Sequence, residues 1–433
     1  MITSLIYREI GDSPVTLSLI MTSITKNILY LVFVQGLIYL APLVTLPYLT
    51  RVLSVPDFAA LGFAQAVIQY FILITDYGFG ITATRLIAIN SGNKYSVSGV
   101  VANTLAVKLI LSAAGGLACL LLIAVFADVQ QHAVLFLACF IGVLGNALFP
   151  TWLFQGLERM RALALITAAS RLLPLPLVFV LVKTTDDLVM AAVLQNIPGV
   201  VAAAMSFYYA RQTKILVRAS ISVSSIWGML KEGWPVFLSN ISTSFYTTIN
   251  IILLKLFAGA DQVAYFAATD KIRVAAQGFI QPIAAALFPR IAALHQESDK
   301  RNESRSLIRR GSYLLLGVQL AGGLVLFCFA DVIAFRYLGA SFAPAAMYLK
   351  ALAFLPLVIG FATIISQWRF LAVGESRILS KIYLVAGPLH ALYACYLTYR
   401  YQSTGLIISL YLTEMLITVA MIIAARKKGI VLW

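Results

Sequence analysis

Four cations sit deep inside apolar stretches of this sequence: Lys108, Arg171, Lys271 and Arg273. Lys108 and Arg171 each lie nine residues into their stretch, ~13 Å along a helix at the usual rise per residue. A charge at the centre of a bilayer costs about 2.5–3.5 kcal/mol on insertion scales, so four lipid-facing cations are not expected. They should face a wet cavity or a carboxylate. The acids at comparable depth are Asp76, Asp270 and Glu414, fewer than the cations, which predicts a net-positive interior. Such an interior suits an anionic head group, because Arg and Lys give phosphate oxygens charge-assisted hydrogen bonds. Lys255 and Lys350 lie near stretch ends, where a long side chain can snorkel to water.

Helical phase groups the polar residues further. Asp270, Arg273, Gln277 and Gln281 follow i, i+3, i+7, i+11 and fall within about 80° of arc. Asn240, Thr243, Thr247 and Asn250 form a similar stripe, and Gln65, Gln69 and Asp76 align on a third helix. A single Thr or Asn in such a place equally well makes a helix–helix hydrogen bond. Three stripes together favour a shared aqueous cavity, with Asn240, Asn250, Gln277 and Gln281 joining the four cations as candidate binding groups. Asp270, next to Lys271 and near Arg273, reads as an ionised structural partner. Asp76 and Glu414 have no cation beside them in sequence and are the ion-coupling candidates.

The elements that must position these groups are about twelve apolar stretches, each long enough to cross ~30 Å of hydrocarbon as a helix. The first six are 27–50, 58–80, 99–127, 132–154, 162–182 and 188–210. The second six are 234–259, 261–288, 313–335, 346–370, 378–399 and 405–425. Hydrophobic residues make up 61% of the chain and charged ones 11%, against roughly a quarter charged in soluble domains. The expected fold class is an all-α polytopic membrane protein. The net charge of +15 follows topology: with Arg369 and Lys381, at span ends, counted with the loop between them, 22 of the 32 Lys and Arg lie on alternate loops beginning with the N-terminus, four on the opposite loops and six inside spans. The positive-inside rule then places both termini in the cytoplasm, and nucleic acid is not an expected partner. Trp152, Trp227, Trp234, Trp368 and Trp433 all fall near that basic boundary, where amphipathic rings prefer to sit.

Cys119, Cys139, Cys328 and Cys395 are isolated in apolar segments, and His132, His295 and His390 are scattered, so neither a redox pair nor a metal site is expected. No GxxxxGK[ST] phosphate cradle is present, which counts against an ATP-driven pump, and no cofactor is expected. Residues 1–20 contain no apolar run of signal-peptide length, and Met21 opens a second plausible start; they read as a dispensable leader.

The two sets of six resemble each other. Arg51–Asp57 overlays Lys255–Asp261, Ala114-Gly-Gly-Leu117 and Phe126-Ala-Asp-Val129 recur as Ala321-Gly-Gly-Leu324 and Phe329-Ala-Asp-Val332, and Trp152-Leu-Phe154 recurs as Trp368-Arg-Phe370. Four matches in one order argue for duplication. An even number of spans per repeat makes the repeats parallel, with the working site between them. The expected lobes are 21–210 and 233–433, joined by a basic linker at 211–232.

These segments resemble a family. Asp270-Lys-Ile-Arg, Gln281-Pro and Leu287-Phe-Pro-Arg290 are similar to the eighth span of bacterial polysaccharide exporters of the O-antigen flippase type, with Asp270 where Glu is frequent. Phe149-Pro-Thr-Trp-Leu-Phe-Gln-Gly-Leu-Glu158 and Thr75-Asp-Tyr-Gly-Phe-Gly-Ile-Thr-Ala-Thr-Arg85 resemble two further segments of that family, and the likeness runs from about Lys26 to the C-terminus. It implies a twelve-helix, two-lobed transporter of the bacterial inner membrane. Its substrate would be an undecaprenyl-diphosphate-linked glycan flipped to the periplasmic leaflet, with membrane lipids and other polysaccharide-assembly membrane proteins as partners. The alternatives are an ion-coupled drug antiporter of the same superfamily and a membrane polymerase or ligase. A drug antiporter for organic cations would line its cavity with acids and aromatics. A polymerase or ligase would need polar outer loops with paired catalytic groups, and no such loop is present, so the chain reads as a non-enzyme.

The charge asymmetry makes a topological prediction. In sealed cells and a cysteine-free background, an impermeant thiol reagent should label single cysteines placed at Asp128 or Asp186 and miss one at Asn302. Strong labelling at position 302 would invert the orientation.

Overall fold

The computed structural model describes residues 14–278, 280–296 and 301–430, and every regular element among them is helical. Nine helical stretches are long and apolar enough to cross a bilayer. Val223–Thr247 and Ile249–Phe257, bent by 42° at their junction, add a tenth. Two more spans escape that criterion. Ser376–Lys427 has 52 residues, more than twice the length a membrane needs, and breaks at Gln402 (φ 51°, ψ −133°) into two helices, spans 11 and 12. Span 8, Ala260–Gln277 followed by Ile280–Gln296, is too polar to count because Asp270, Lys271 and Arg273 interrupt it.

The spans therefore appear in the expected order, with shifted ends. Span 1 is Pro14–Val52, so the expected leader is helical from residue 14, and residues 1–13, like Trp433, lie outside the described residues. Span 6 runs to Gln212 and span 7 starts at Val223, which shortens the linker to 213–222. Span 9 begins at Arg301, and its long helix stops at Cys328. Apolarity marks the hydrocarbon layer, whereas Lys, Arg, Glu and Ser continue a helix into water at little cost. The described tryptophans, all expected at the basic boundary, differ in burial. Trp227 and Trp234 are exposed, while Trp152 and Trp368 are buried core residues, each beside an equally buried Phe154 or Phe370.

Local chemistry sets the breaks. Ser54 caps span 2, its hydroxyl accepting from the Asp57 amide at 3.2 Å, with Pro56 in the first turn. The same span (Val55–Asp76, then Phe79–Ile89) is interrupted where Tyr77 and Gly78 adopt left-handed conformations. A Cβ on Gly78 would also stand 2.7 Å from Val236 of span 7, so both backbone and packing require glycine there. Spans 4 (Ala133–Gly156) and 6 (Leu188–Gln212) cross backbone to backbone at Gly145 and Gly199, the close approach that small residues permit in lipid. Large apolar side chains such as Leu117, Leu121 and Leu392 face outward, as expected where the solvent is hydrocarbon.

The lobes meet along spans 2 and 8 and along spans 2 and 7. At the end away from the basic loops, Thr50 of span 1 donates to the Leu338 carbonyl at 2.6 Å, and the Tyr337 hydroxyl donates to the Leu43 carbonyl. Phe58 packs edge-on against Phe342 with centroids 5.4 Å apart. At the basic end, Tyr77 stacks on Phe237 at 4.7 Å and Arg85 pairs with Glu232. The linker is strapped to the N-lobe, where Ser98 Oγ accepts from the Val217 amide at 2.9 Å and Asn103 Oδ1 from the Ser222 amide at 2.8 Å.

The N-lobe interior is packed around Lys108. Lys108 of span 3 (Lys94–Val125) is 1% exposed, with Nζ 3.1 Å from Asp76 Oδ1 and 3.1 Å from the Asn146 carbonyl oxygen. The lysine side chain is buried but the Asp76 side chain is 38% exposed, so removing the carboxylate, which strands a buried ammonium, is the more damaging change. Asp76→Asn should therefore lower the melting temperature of the detergent-purified protein, and Asp76→Asn/Lys108→Met should recover most of the loss. Equal melting of Asp76→Asn and the unsubstituted protein would show that the pair carries no stability.

Candidate substrate cavity

A cavity of about 440 Å³ lies in the C-lobe among spans 7, 8, 10 (Ala345–Leu371) and 12, with Tyr39 of span 1 closing one side. Its span 8 wall is the stripe Asp270, Arg273, Gln277 and Gln281. The span 7 wall is Thr243, Tyr246, Thr247 and Asn250, and Glu414 projects from span 12. The eighth span runs the full depth of the membrane, so these residues mark the cavity's position. Asp270 is ten residues from the helix start at Ala260, ~15 Å in, and Gln281 is deeper still, toward the basic end.

Arg273 is the only cation among the described lining residues. Its Nε donates to Asp270 Oδ1 at 2.7 Å and its Nη1 to Gln277 Oε1 at 2.6 Å, so the guanidinium is held from both sides along its own helix. Spacings of three and four residues place those partners on one face. The outer edge of the fork, Nη2, makes neither contact and remains available for planar recognition of an anion. No ion pair to Glu414 is present among the described residues.

Span 10 contributes Thr363 and Ser366 where its helix loosens into a π-type turn over Ser366–Leu371. The Trp368 indole donates to the Ala284 carbonyl at 3.1 Å and ties that turn to span 8. Behind Asn250 lies a buried polar chain. Asn250 Oδ1 is 3.2 Å from His390 Nε2, His390 Nδ1 is 2.6 Å from Thr413 Oγ1, and that hydroxyl also meets the Tyr393 hydroxyl.

Six expected site residues thus share the cavity: Asp270, Arg273, Gln277, Gln281, Asn250 and Glu414. The others do not. Lys108 and Asp76 pair inside the N-lobe. Arg171 lines a separate cavity of about 90 Å³ with Thr45 and Gln195. Lys271 points across the seam between lobes, its Nζ donating to Gln65 Oε1 at 3.1 Å and lying 5.7 Å from the Phe58 ring centre. Asn240, one turn before Thr243, is not in the lining. The net-positive interior expected from the count of charges is therefore not where the space is: the described lining of the cavity holds one cation and two carboxylates. A count along the sequence cannot tell which helix face a charge occupies. Tyr39, Tyr246 and Tyr383 line the cavity and were not expected; only Tyr246, three residues from Thr243, carried a signal in its spacing. Among the described residues no cluster of metal-binding side chains occurs.

A family model described as "Polysaccharide biosynthesis protein" matches residues 24–295. The chain is 38% identical over 404 residues to the "Putative O-antigen transporter" of Shigella dysenteriae, covering 93% of this chain and all of that one. It is 30% identical to the protein of the same name from Escherichia coli (strain K12), over 94% of this chain and 97% of that one. Among solved structures, the inward-facing form of a multidrug resistance MATE family transporter of the MOP superfamily superposes with a TM-score of 0.72 at 18% identity, covering 91% and 94% of the two chains. An outward-facing form of a transporter so described gives 0.59 at 17% identity over 92% and 95%. The likeness to these structures extends to the fold, and the chain, a multi-pass helical membrane protein, belongs to the polysaccharide biosynthesis family.

Proposed function

We propose that the protein flips an undecaprenyl-diphosphate-linked oligosaccharide repeat unit, O-antigen-like, from the cytoplasmic to the periplasmic leaflet of the inner membrane. The observation that carries this is the company Arg273 keeps: one guanidinium facing a cavity lined with amides, hydroxyls and tyrosines. Amides and hydroxyls match the donors and acceptors of a sugar, and aromatic rings offer apolar faces to its C–H groups. The guanidinium supplies the bidentate contact a phosphate needs. Relatives named for O-antigen transport support the same substrate class. With both termini cytoplasmic, as the charge asymmetry implies, the cavity occupies the cytoplasmic half and the pinned far end is periplasmic. Alternating access would release those pins and close the basic end.

One observation favours a second reading. Two carboxylates and three tyrosines in the cavity are what an exporter of organic cations would use. Measuring surface glycan and drug tolerance in one gene-deletion strain separates the two: loss of glycan with unchanged tolerance supports the flippase.

Arg273→Ala should abolish glycan export at normal protein levels, whereas Arg273→Lys should retain part of it, since charge remains while the planar fork is lost. If Arg273 serves only to pair with Asp270, the Asp270→Asn/Arg273→Gln variant will be fully active, and the binding role fails.

Glu414 faces the same cavity without a cation bonded to it, and a diphosphate entering beside an ionised carboxylate would be repelled. Proton uptake at Glu414 on loading would remove that repulsion and couple flipping to a proton gradient. In reconstituted vesicles an imposed pH gradient should change the flipping rate, and Glu414→Gln should erase the response. An unchanged rate in the unsubstituted protein would leave Glu414 a structural residue.

A further inference from the structure

A second cavity, about 380 Å³, opens between the lobes at the far end of the molecule. Phe63 and Val67 of span 2 and Leu122 and Phe126 of span 3 form the N-lobe wall, and Ile252 and Leu256 of span 7 form the C-lobe wall. Phe126 and Leu256 are more than half exposed, so the cavity is a crevice open to lipid. Val67 is twelve residues into span 2, ~18 Å from its far end, so the crevice reaches the bilayer midplane. Its interior is apolar. Its mouth carries a single bridge, with Lys255 Nζ 3.5 Å from Asp128 Oδ2.

The duplication gives this bridge a counterpart that is built differently. Arg51, the residue equivalent to Lys255, donates to the backbone carbonyl of Arg336, and Asp331, equivalent to Asp128, is held at 2.7 Å by Lys350 of its own lobe. Among the described residues Lys255–Asp128 is therefore the one ion pair joining the lobes at the far end. The carboxylate side chain is 72% exposed, and water can replace its contact to Lys255 at little cost.

We propose that this crevice is the exit site for the lipid product: the isoprenoid chain lies between spans 2, 3 and 7, and its diphosphate displaces Asp128 from Lys255. This rests on the flippase reading and adds where the lipid leaves. An apolar slot one leaflet deep with a cation at head-group level fits an anionic amphiphile. Its place on the seam between the lobes is where a lipid-attached load can pass without crossing a helix. Asp128 keeps the mouth neutral while the slot is empty, and displacing it unfastens the lobes on that side.

The test uses the full-length protein in nanodiscs of phosphatidylethanolamine and phosphatidylglycerol, with a polyprenyl diphosphate carrying a benzophenone in its chain. On irradiation, label should appear in peptides containing Phe63–Val67 and Ile252–Leu256. Unlabelled undecaprenyl diphosphate should compete about tenfold better than undecaprenol, the ratio expected for one charge-assisted contact. Lys255→Gln should remove that preference and Lys255→Arg should keep it. Leu256→Trp, which fills the slot and leaves the ion pair, should abolish crevice labelling. Equal competition by undecaprenol, or by added phosphatidylglycerol, would make the crevice an ordinary lipid-filled surface and overturn the proposal. Label confined to the Arg273 cavity would overturn the exit site and leave the flippase reading intact, whereas absence of specific label from both would remove the two together.

Discussion

A charge inside a membrane must be answered by a partner, and that requirement organises this molecule. Lys108 is answered by Asp76 and Asn146, Lys271 by Gln65 across the seam, and Arg273 by Asp270 and Gln277. Two of the answers fix helices relative to one another. The first ties spans 2, 3 and 4 into one lobe, the second ties span 8 to span 2, and the third stays within a single helix. Only the third leaves the cation facing open space. An i, i+3 partner neutralises Arg273 without consuming the room around it, which lets a cavity and a buried guanidinium coexist.

The two repeats, similar in sequence, have been put to different uses. The N-lobe is packed around Lys108, whereas the C-lobe is hollow around Arg273. Both lobes keep the far-end arrangement in which the last residues of a first span grip the hairpin of the other lobe, Thr50 and Arg51 on one side and Lys255 on the other. One grip combines a buried hydrogen bond from Thr50 with an exposed one from Arg51, both to backbone, and the other is a solvated ion pair. The first resists separation by burial, and the second yields to any competing ion. An enclosure with one firm and one weak fastening opens at the weak side.

Much of this was legible from the residues, for reasons that can be named. Hydrophobic length gives the spans because the bilayer sets one thickness for all of them. Helical phase placed Asp270, Arg273, Gln277 and Gln281 on one face, and they do share the cavity, since a face is a property of one helix. Whether a face meets a cavity or another helix depends on a neighbour far away in sequence. That is why Asp76, aligned just as well with Gln65 and Gln69, meets Lys108 instead, and why Arg171 and Asn240 lie elsewhere. Spans 7 and 9 start earlier than their apolar stretches, at Val223 and Arg301, because helix continues where the membrane stops. His390 was passed over as a lone imidazole. Its partners Asn250 and Thr413 lie 140 and 23 residues away, beyond the reach of any spacing rule.

That imidazole has a consequence for the wall between cavity and lipid. A neutral ring has one nitrogen that gives a proton and one that takes one. The Asn250 amide nitrogen donates to the Tyr246 and Thr247 carbonyls, which turns Oδ1 to the ring and makes Nε2 the giver. Nδ1 is then an acceptor, and the hydroxyl beside it belongs to Thr413, which has one proton and two acceptors at 2.6 Å: Nδ1 and the Ser409 carbonyl. It serves one at a time. The Tyr393 hydroxyl also meets the Thr413 oxygen and can give to it in either setting. The rotation of one hydroxyl thereby decides whether the imidazole behind the cavity wall is engaged at both nitrogens or at one.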